Sequence, residues 1–164
     1  MIQILHRYTK AVIFEGEYPS IREAVEAAVA ANVSLRGASL TGADFREADF
    51  READFREADF RGANFRWADL SGAKFAEAYL TGADFNGAEG IVSFGPCPGA
   101  GRIGYVVAGE KEYTVLLGSF SGTIEEATAA IKKKYPDERG RAYIGLILAA
   151  AQVLHCQARS EVTK

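Results

Sequence analysis

From Val33 to Gly87 the chain repeats itself every five residues, and no other feature limits its fold so tightly. Ala stands at 38, 43, 48, 53, 58, 63, 68, 73, 78 and 83. Two residues after each comes a ring or a leucine: Leu40, Phe45, Phe50, Phe55, Phe60, Phe65, Leu70, Phe75, Leu80 and Phe85, with Val33 and Leu35 opening the series. An α-helix needs apolar residues every 3.6 positions and a strand needs them every two. A strict five suits neither as a continuous element. It suits a chain that takes a short extended step and then turns a corner. In an extended step, residues two apart share a face, so each Ala and its Leu or Phe look inward together. The residues flanking each Leu or Phe then look outward: Asp44, Asp49, Asp54 and Asp59 before, Arg46, Arg51, Arg56 and Arg61 after. The fifth residue is the corner, and Gly37, Gly42, Gly62, Gly72, Gly82 and Gly87 tolerate the backbone a corner needs. Such steps stack as a solenoid in which each coil touches only its neighbours.

The A-(D/N)-(L/F)-x-x pattern, complete in seven of eleven five-residue blocks that run without slippage, resembles the pentapeptide-repeat family. The resemblance implies a mainly β fold, a right-handed quadrilateral β-helix with four pentapeptides per coil and just under three coils here. It covers about a third of the chain directly. Residues twenty apart then stack. Leu35, Phe55 and Phe75 form one interior column and Phe45, Phe65 and Phe85 another. Outside, Arg36 lies near Arg56, Arg46 near Arg66 and Asp49 near Asp69, at about the 4.8 Å spacing of neighbouring strands. Like charges so placed repel. Lateral Asp–Arg pairs along one face are the expected relief. The near-identical ADFRE copies fit either a recent repeat expansion or a consensus-style engineered chain.

The flanks read as ends for this tube, which divides the chain into 1–32, 33–89 and 90–164. Ile2 to Phe14 predicts a β-hairpin turning near Thr9-Lys10. Ser20-Ile21-Arg22-Glu23 reads as a capping box. The helix after it carries Ile21, Ala24, Val25, Ala28 and Val29 on one stripe, and Asn32 can end it in the left-handed conformation. An open solenoid end exposes unpaired backbone, so this hairpin-plus-helix is expected to cap the first coil. Gly90 stands where a Leu or Phe is due, and the rhythm stops there. Ile91–Phe94, Arg102–Ala108 and Glu112–Leu117 read as strands, with a turn around Gly109. Thr123-Ile124-Glu125-Glu126 is a second capping box, opening a helix to about Tyr135. A last helix from about Arg139 to Ala158 carries Tyr143, Ile144, Ile147, Leu148, Ala151 and Leu154 as its core stripe. The expectation is a C-terminal α+β cap. The last helix is read either as buried there or as an association surface for a homodimer through the C-terminal domain.

Composition limits the function classes. The chain has 164 residues, 48% hydrophobic, with net charge −3. Its first residues lack the apolar core of a signal peptide, and Ala142–Leu154 is shorter than the roughly 20 residues of a membrane span. No membrane association is expected. Two cysteines, Cys97 and Cys156, make no disulfide framework, so a cytoplasmic protein with free thiols is the simple reading.

Motifs that could carry chemistry are few. Gly99-Ala100-Gly101-Arg102-Ile103-Gly104 matches G-x-G-x-x-G, but a dinucleotide site needs a helix after it and Tyr105-Val106-Val107 is strand-like. His155 and Cys156 are adjacent and point apart on a helix, and His6 is the only other imidazole. Cys97, between two prolines, is a candidate exposed thiol. Lys132-Lys133-Lys134 suits a helix C-terminus better than a nucleic-acid patch. Asp44, Asp49, Asp54 and Asp59 each have an Arg two residues on that keeps them ionised. Hence no catalytic, cofactor or metal residues are assigned. Trp67 replaces Gly or Glu at a corner and Tyr79 replaces Asp on a wall. Both are expected to face outward as candidate contacts for an unknown protein partner.

Three functions are compatible with these features. The first is a non-enzymatic scaffold presenting a charged wall to a protein partner. The second comes from the resemblance: some pentapeptide-repeat proteins mimic DNA and inhibit type II topoisomerases such as gyrase. Just under three coils make roughly 13 Å of rod, over which B-DNA carries about eight phosphate charges. Residues 33–88 hold ten acids and seven bases, which leaves −3 over four sides and makes a poor decoy. Direct nucleic-acid binding is disfavoured for the same reason. The third, an enzyme in the C-terminal region, has only the glycine motif behind it.

Overall fold

A computed structural model of the chain describes residues 1–95, 103–109, 112–118 and 120–161, with side chains described as far as residue 156. They form two compact units, Met1–Glu89 and Gly90–Lys164.

The first unit begins with a hairpin of β1 (Ile2–Leu5) and β2 (Val12–Gly16). The strands pair antiparallel with Ile4 opposite Phe14, and the register shifts between Ile4 and Leu5. Lys10 takes the left-handed conformation in the turn, with φ 59°. Helix α1 (Ile21–Ala30) follows. Ala24, Val25 and Ala28 bury its inner stripe, and Ile21 and Val29 flank it half-buried. Asn32, at φ 55°, ends it by donating its N–H to the Val29 carbonyl at 2.8 Å. The capping box at Ser20 is only half made. Ser20 Oγ accepts from the Glu23 N–H at 3.5 Å, but the carboxylate does not return to the Ser20 amide. It faces the Arg22 guanidinium at 3.5 Å instead, a charged donor that competes better than a neutral amide.

From Leu35 onward the backbone climbs by parallel bridges twenty residues apart: Ser39 to Asp59, Asp44 to Asn64, Asp49 to Asp69, Asp54 to Lys74, Asp59 to Tyr79, Asn64 to Asp84 and Asp69 to Glu89. The expected fold is a β-helix, and its β character here lies in single-residue bridges. No regular strand is found among the described residues between β2 and Ile91.

One block shows why five residues suffice. Ala58 N–H donates to the Phe55 carbonyl (3.1 Å) and closes the corner. Asp59 N–H reaches the Ala38 carbonyl (2.8 Å) on one side of the stack. Phe60 N–H reaches the Tyr79 carbonyl (2.9 Å) and Gly62 N–H the Thr81 carbonyl (3.0 Å) on the other. The fifth donor, Arg61 N–H, has no backbone acceptor and uses Asp59 Oδ1 at 3.2 Å. Every amide of the block is thereby satisfied, as a close-packed backbone requires.

At the start of the repeat, the preceding coil's role falls to the N-terminal elements. Leu5 O accepts from Ser39 N–H (2.8 Å), Glu26 Oε1 accepts from Asp49 N–H (3.1 Å), and Arg22 Nη1 donates to Arg46 O (3.0 Å). The rings fill the interior: Phe45, Phe50, Phe55, Phe60 and Phe65 are fully buried. The expected columns are present, with Phe55 to Phe75 at 5.4 Å, Phe45 to Phe65 at 5.2 Å and Phe65 to Phe85 at 5.0 Å between centroids. Along the chain, successive rings meet edge to face, Phe55 to Phe60 at 4.9 Å. This geometry suits the ring quadrupole.

The second unit is a four-stranded antiparallel meander and two helices. The strands are β3 (Ile91–Phe94), β4 (Gly104–Ala108), β5 (Tyr113–Leu117) and β6 (Phe120–Thr123), in sheet order β3-β4-β5-β6. Strand β6 is absent from the sequence reading, which placed only the cap residue Thr123 there. Its residues are Phe-Ser-Gly-Thr and all are half-buried, so no apolar alternation announces it. Helix α2 (Ile124–Lys134) has the complete box, with Thr123 Oγ1 accepting from Glu126 N–H (3.1 Å) and Glu126 Oε2 from Thr123 N–H (2.8 Å). Helix α3 (Glu138–Glu161) lays Tyr143, Ile147, Ala150, Ala151 and Leu154 on Phe94, Val106, Val115, Ala127 and Ile131. Leu148 was expected in that stripe and is 52% exposed. The buried stripe is centred one position round the helix, where Ala150 allows close approach.

Candidate interaction surface on the repeat

The outward chemistry follows from the fifth amide. Its acceptor is the side chain just before the central residue, which must be short and carry an oxygen. Asp44, Asp49, Asp54, Asp59, Asn64, Asp69 and Asp84 all accept the N–H two residues on, at 3.0–3.4 Å. This is the Asx-turn, and neutral Asn64 makes it as well as any Asp. The carboxylate that fastens a corner is then at the right height for the Arg that follows. Arg46, Arg51, Arg56 and Arg61 each fork onto their own Asp, as in Arg56 Nε to Asp54 Oδ1 at 2.7 Å and Nη2 to Oδ2 at 2.8 Å. The guanidinium bonds hold Asp44, Asp49, Asp54 and Asp59 below the usual carboxylate range, with a Ser34 hydroxyl added at Asp54. These acids are therefore fully ionised at neutral pH and unsuited to proton transfer.

Like-charge stacking is relieved by diagonal ties as well as lateral ones, Arg36 Nε to Glu57 Oε1 at 3.0 Å and Arg51 Nε to Asp69 Oδ2 at 3.6 Å, while Ser34 Oγ bonds Asp54 Oδ2 directly along its column at 2.7 Å. Asp59 departs from the outward expectation. It is 7% exposed, covered within a polar cluster that includes the Thr41 hydroxyl and Arg61.

Trp67 and Tyr79 both reach solvent, at 65% and 46% exposure, but on different stacks. Trp67 occupies the corner column of Glu47 and Gly87, at φ 62°. Its indole lies over Gly87, where an added Cβ would collide with the ring. Glu47, Glu52, Glu57 and Glu77 sit at other corners with φ of 59–61°, a conformation that suits glycine. Tyr79 belongs to the Ser39–Asp59 column and has company from the hairpin turn. The Arg7 guanidinium lies 3.9 Å from the Tyr79 ring centroid and 4.3 Å from that of Tyr8, and it donates to the Tyr8 hydroxyl. Hydrogen bonding from Arg7, then from Tyr8, draws the Tyr79 hydroxyl below its ordinary pKa. The sequence reading missed Arg7 and Tyr8. Alternation in Ile2–Phe14 locates a hairpin but not the wall its turn reaches.

The remaining candidates stay apart. Cys97 and Gly99–Arg102 lie outside the described residues, and Gly104 opens strand β4 rather than a helix. His155 and Cys156 are exposed, with Gln152 Nε2 donating to Cys156 Sγ at 3.8 Å. Among the described residues, no group of three or more His, Cys, Asp or Glu could hold a metal ion. No described helix is long and apolar enough to cross a membrane.

Comparison with known proteins agrees with the geometry of the repeat. The family described as pentapeptide repeats matches residues 31–66 and 63–89, with 8 copies. None of the curated proteins searched matches the chain. Among solved structures, a pentapeptide repeat protein (Rfr23) from the cyanobacterium Cyanothece 51142 is similar at 28% identity, over 34% of this chain and 38% of that one, with a TM-score of 0.34. The match thus spans well under half of either chain. Residues 31–89 are therefore a run of pentapeptide repeats.

Proposed function

We propose that this chain is a non-enzymatic pentapeptide-repeat scaffold whose outer walls meet a protein partner. In this reading residues 1–32 cap a right-handed, four-sided coil of just under three turns at 33–89, and 90–164 are a separate α+β unit. The observation that carries it is the complete use of backbone donors within one block. Because the corner is fastened locally, positions after the central residue and at the corner are free to vary. Trp67 stands at such a position, and Tyr79 has replaced an Asp that other blocks use for fastening. Surface aromatics of this kind are enriched where proteins bind.

Affinity capture from cells tests the reading. Changing Trp67 and Tyr79 to Ala should remove a partner that the unchanged chain retains. An identical partner set would remove both residues from the contact surface. A nucleotide-dependent rise in melting temperature would favour an enzyme instead. The charge pattern gives the DNA-mimic reading little support, since four of the acids are forked by Arg. Inhibition of gyrase supercoiling at nanomolar chain would revive it. The homodimer reading attaches to α3, where Leu148 and Val153 are exposed. Light scattering on the chain with both changed to Glu tests it, a fall from dimer to monomer supporting the reading and a monomeric unchanged chain ending it.

A further inference from the structure

We infer that Arg7, Tyr8 and Tyr79 form a docking site for a carboxylate side chain on an acidic segment of a partner protein. The inference rests on the scaffold reading and assigns it a surface and a partner chemistry.

Three observations on the first unit lead to it. The first is a contrast among its arginines. Arg22, Arg36, Arg46, Arg51, Arg56, Arg61 and Arg66 each face a carboxylate within 4 Å. Arg7 is held by two tyrosines instead, donating to hydroxyls that carry no formal charge. Its positive charge is therefore not neutralised within the described chain, on a protein that is acidic as a whole.

The second is position and exposure. Tyr8 is among the most exposed large side chains of the unit and Tyr79 is nearly half exposed, so the guanidinium has an aromatic rim open to water. Lys10, exposed on the same turn, donates to the Arg7 carbonyl at 2.9 Å and adds a second positive charge.

The third is that the arrangement is held at some cost. Arg7 Nε is buried without a partner, an orphan donor of a kind that native folds seldom leave unexplained. The backbone already ties the turn down through Arg7 N–H to the Gly37 carbonyl at 2.8 Å, a bond any residue could make. The side chain is thus not needed to seat the hairpin.

A fixed guanidinium with two aromatic walls matches a carboxylate on a short aliphatic stem. The guanidinium edge not taken by the Tyr8 hydroxyl binds an oxygen and the rings take the methylenes. A nucleic-acid backbone fits less well. Its affinity comes from many phosphates neutralised along a groove, and this site offers one guanidinium and Lys10.

The test uses the full chain, ¹⁵N-labelled, titrated with octaglutamate, octalysine and an eight-residue thymidine oligonucleotide. Octaglutamate should give saturable shifts confined to residues 6–10 and the neighbourhood of Tyr79, weakening as salt rises. Arg7→Gln should weaken binding about tenfold or more, with Arg7→Lys intermediate, because the charge stays but the planar group held between the two rings is lost. Tyr8→Ala, in an exposed turn, gives the same direction of effect if Arg7→Gln proves unstable. Absence of saturable octaglutamate binding, equal binding by Arg7→Gln, or tighter binding of the oligonucleotide at these residues would overturn the inference. Failure here with a cell partner still lost on changing Trp67 leaves the scaffold reading standing. Octaglutamate binding through Arg7 with no partner captured from cells leaves this site standing and ends that reading.

Discussion

Residues 33–89 and residues 90–164 bury apolar side chains by different rules. In the repeat, each five-residue block solves the same problem alone. It turns a corner, satisfies its amides and sends one ring inward, as Ala58 to Gly62 do. In the C-terminal unit no short segment is complete. Strand β6 matters only because β5 pairs with it, and α3 is positioned by Val106, Val115 and Ile131 together. The repeat is specified locally and replicated. The C-terminal unit is specified by the whole. A substitution in the repeat should therefore report on what its position does in every block, whereas one beyond Gly90 reports on a single place.

The largest effect should come from the ring column. Phe55 is fully buried and has Phe60, Phe50 and Phe75 within 5.4 Å. Phe55→Ala should cost about 3–5 kcal/mol in urea unfolding. Phe60→Leu should cost less than about 1.5 kcal/mol, because Leu40 and Leu80 occupy the same column. If Phe60→Leu proved as harmful as Phe55→Ala, the columns would not be the interchangeable units described. Ile147→Ala in α3 should cost about 2–5 kcal/mol with no such tolerated alternative from a neighbouring layer.

Next is the fastening carboxylate. Asp59→Ala leaves the Arg61 amide without its acceptor and should cost about 1–3 kcal/mol. Asp59→Asn keeps the turn, as Asn64 does, and should cost clearly less. Equal costs would mean that charge rather than turn geometry sets the preference for Asp.

These acids also set the pH response. Their folded-state pKa values lie below the ordinary Asp value of about 3.9, lowered first by the Arg bonds. The stability they contribute is therefore fully present above about pH 4 and is lost as pH falls through the depressed folded values. In the second unit Asp137 is lowered too, by its bond from Arg139. On acidification at low salt, amide exchange should rise in the repeat below pH 4 more steeply than beyond Gly90. A uniform rise would remove this distinction.

The smallest effect concerns corners. Glu47→Gly relieves a left-handed backbone and should add up to about 1 kcal/mol. Gly62→Ala, which meets open space but keeps φ at 69°, should remove about 1 kcal/mol. The two together measure corner strain with no packing change.

The same contrast explains what the sequence disclosed. Phe55 over Phe75 and the Asp–Arg walls were legible because a strict period forces the stacking. The half-made box at Ser20 was not, because Arg22 competes for Glu23 and neither residue type reveals which contact wins. Strand β6 and the exposure of Leu148 depend on which neighbours are present, and no period encodes that. The Asx-turn was visible only as a charge pattern, and Asn64 was the residue that could have separated geometry from charge. The Arg7–Tyr8–Tyr79 cluster joins residues some seventy positions apart and follows no repeat.

The central claim is that each coil of the chain hydrogen-bonds to the next one twenty residues on. Through-hydrogen-bond scalar couplings in the ¹³C,¹⁵N-labelled chain test it most directly. The account predicts couplings from Phe45 N to the Asn64 carbonyl, Phe60 N to the Tyr79 carbonyl and Gly62 N to the Thr81 carbonyl. Couplings from these amides to carbonyls four residues back, or to any partner off the twenty-residue stack, would contradict it.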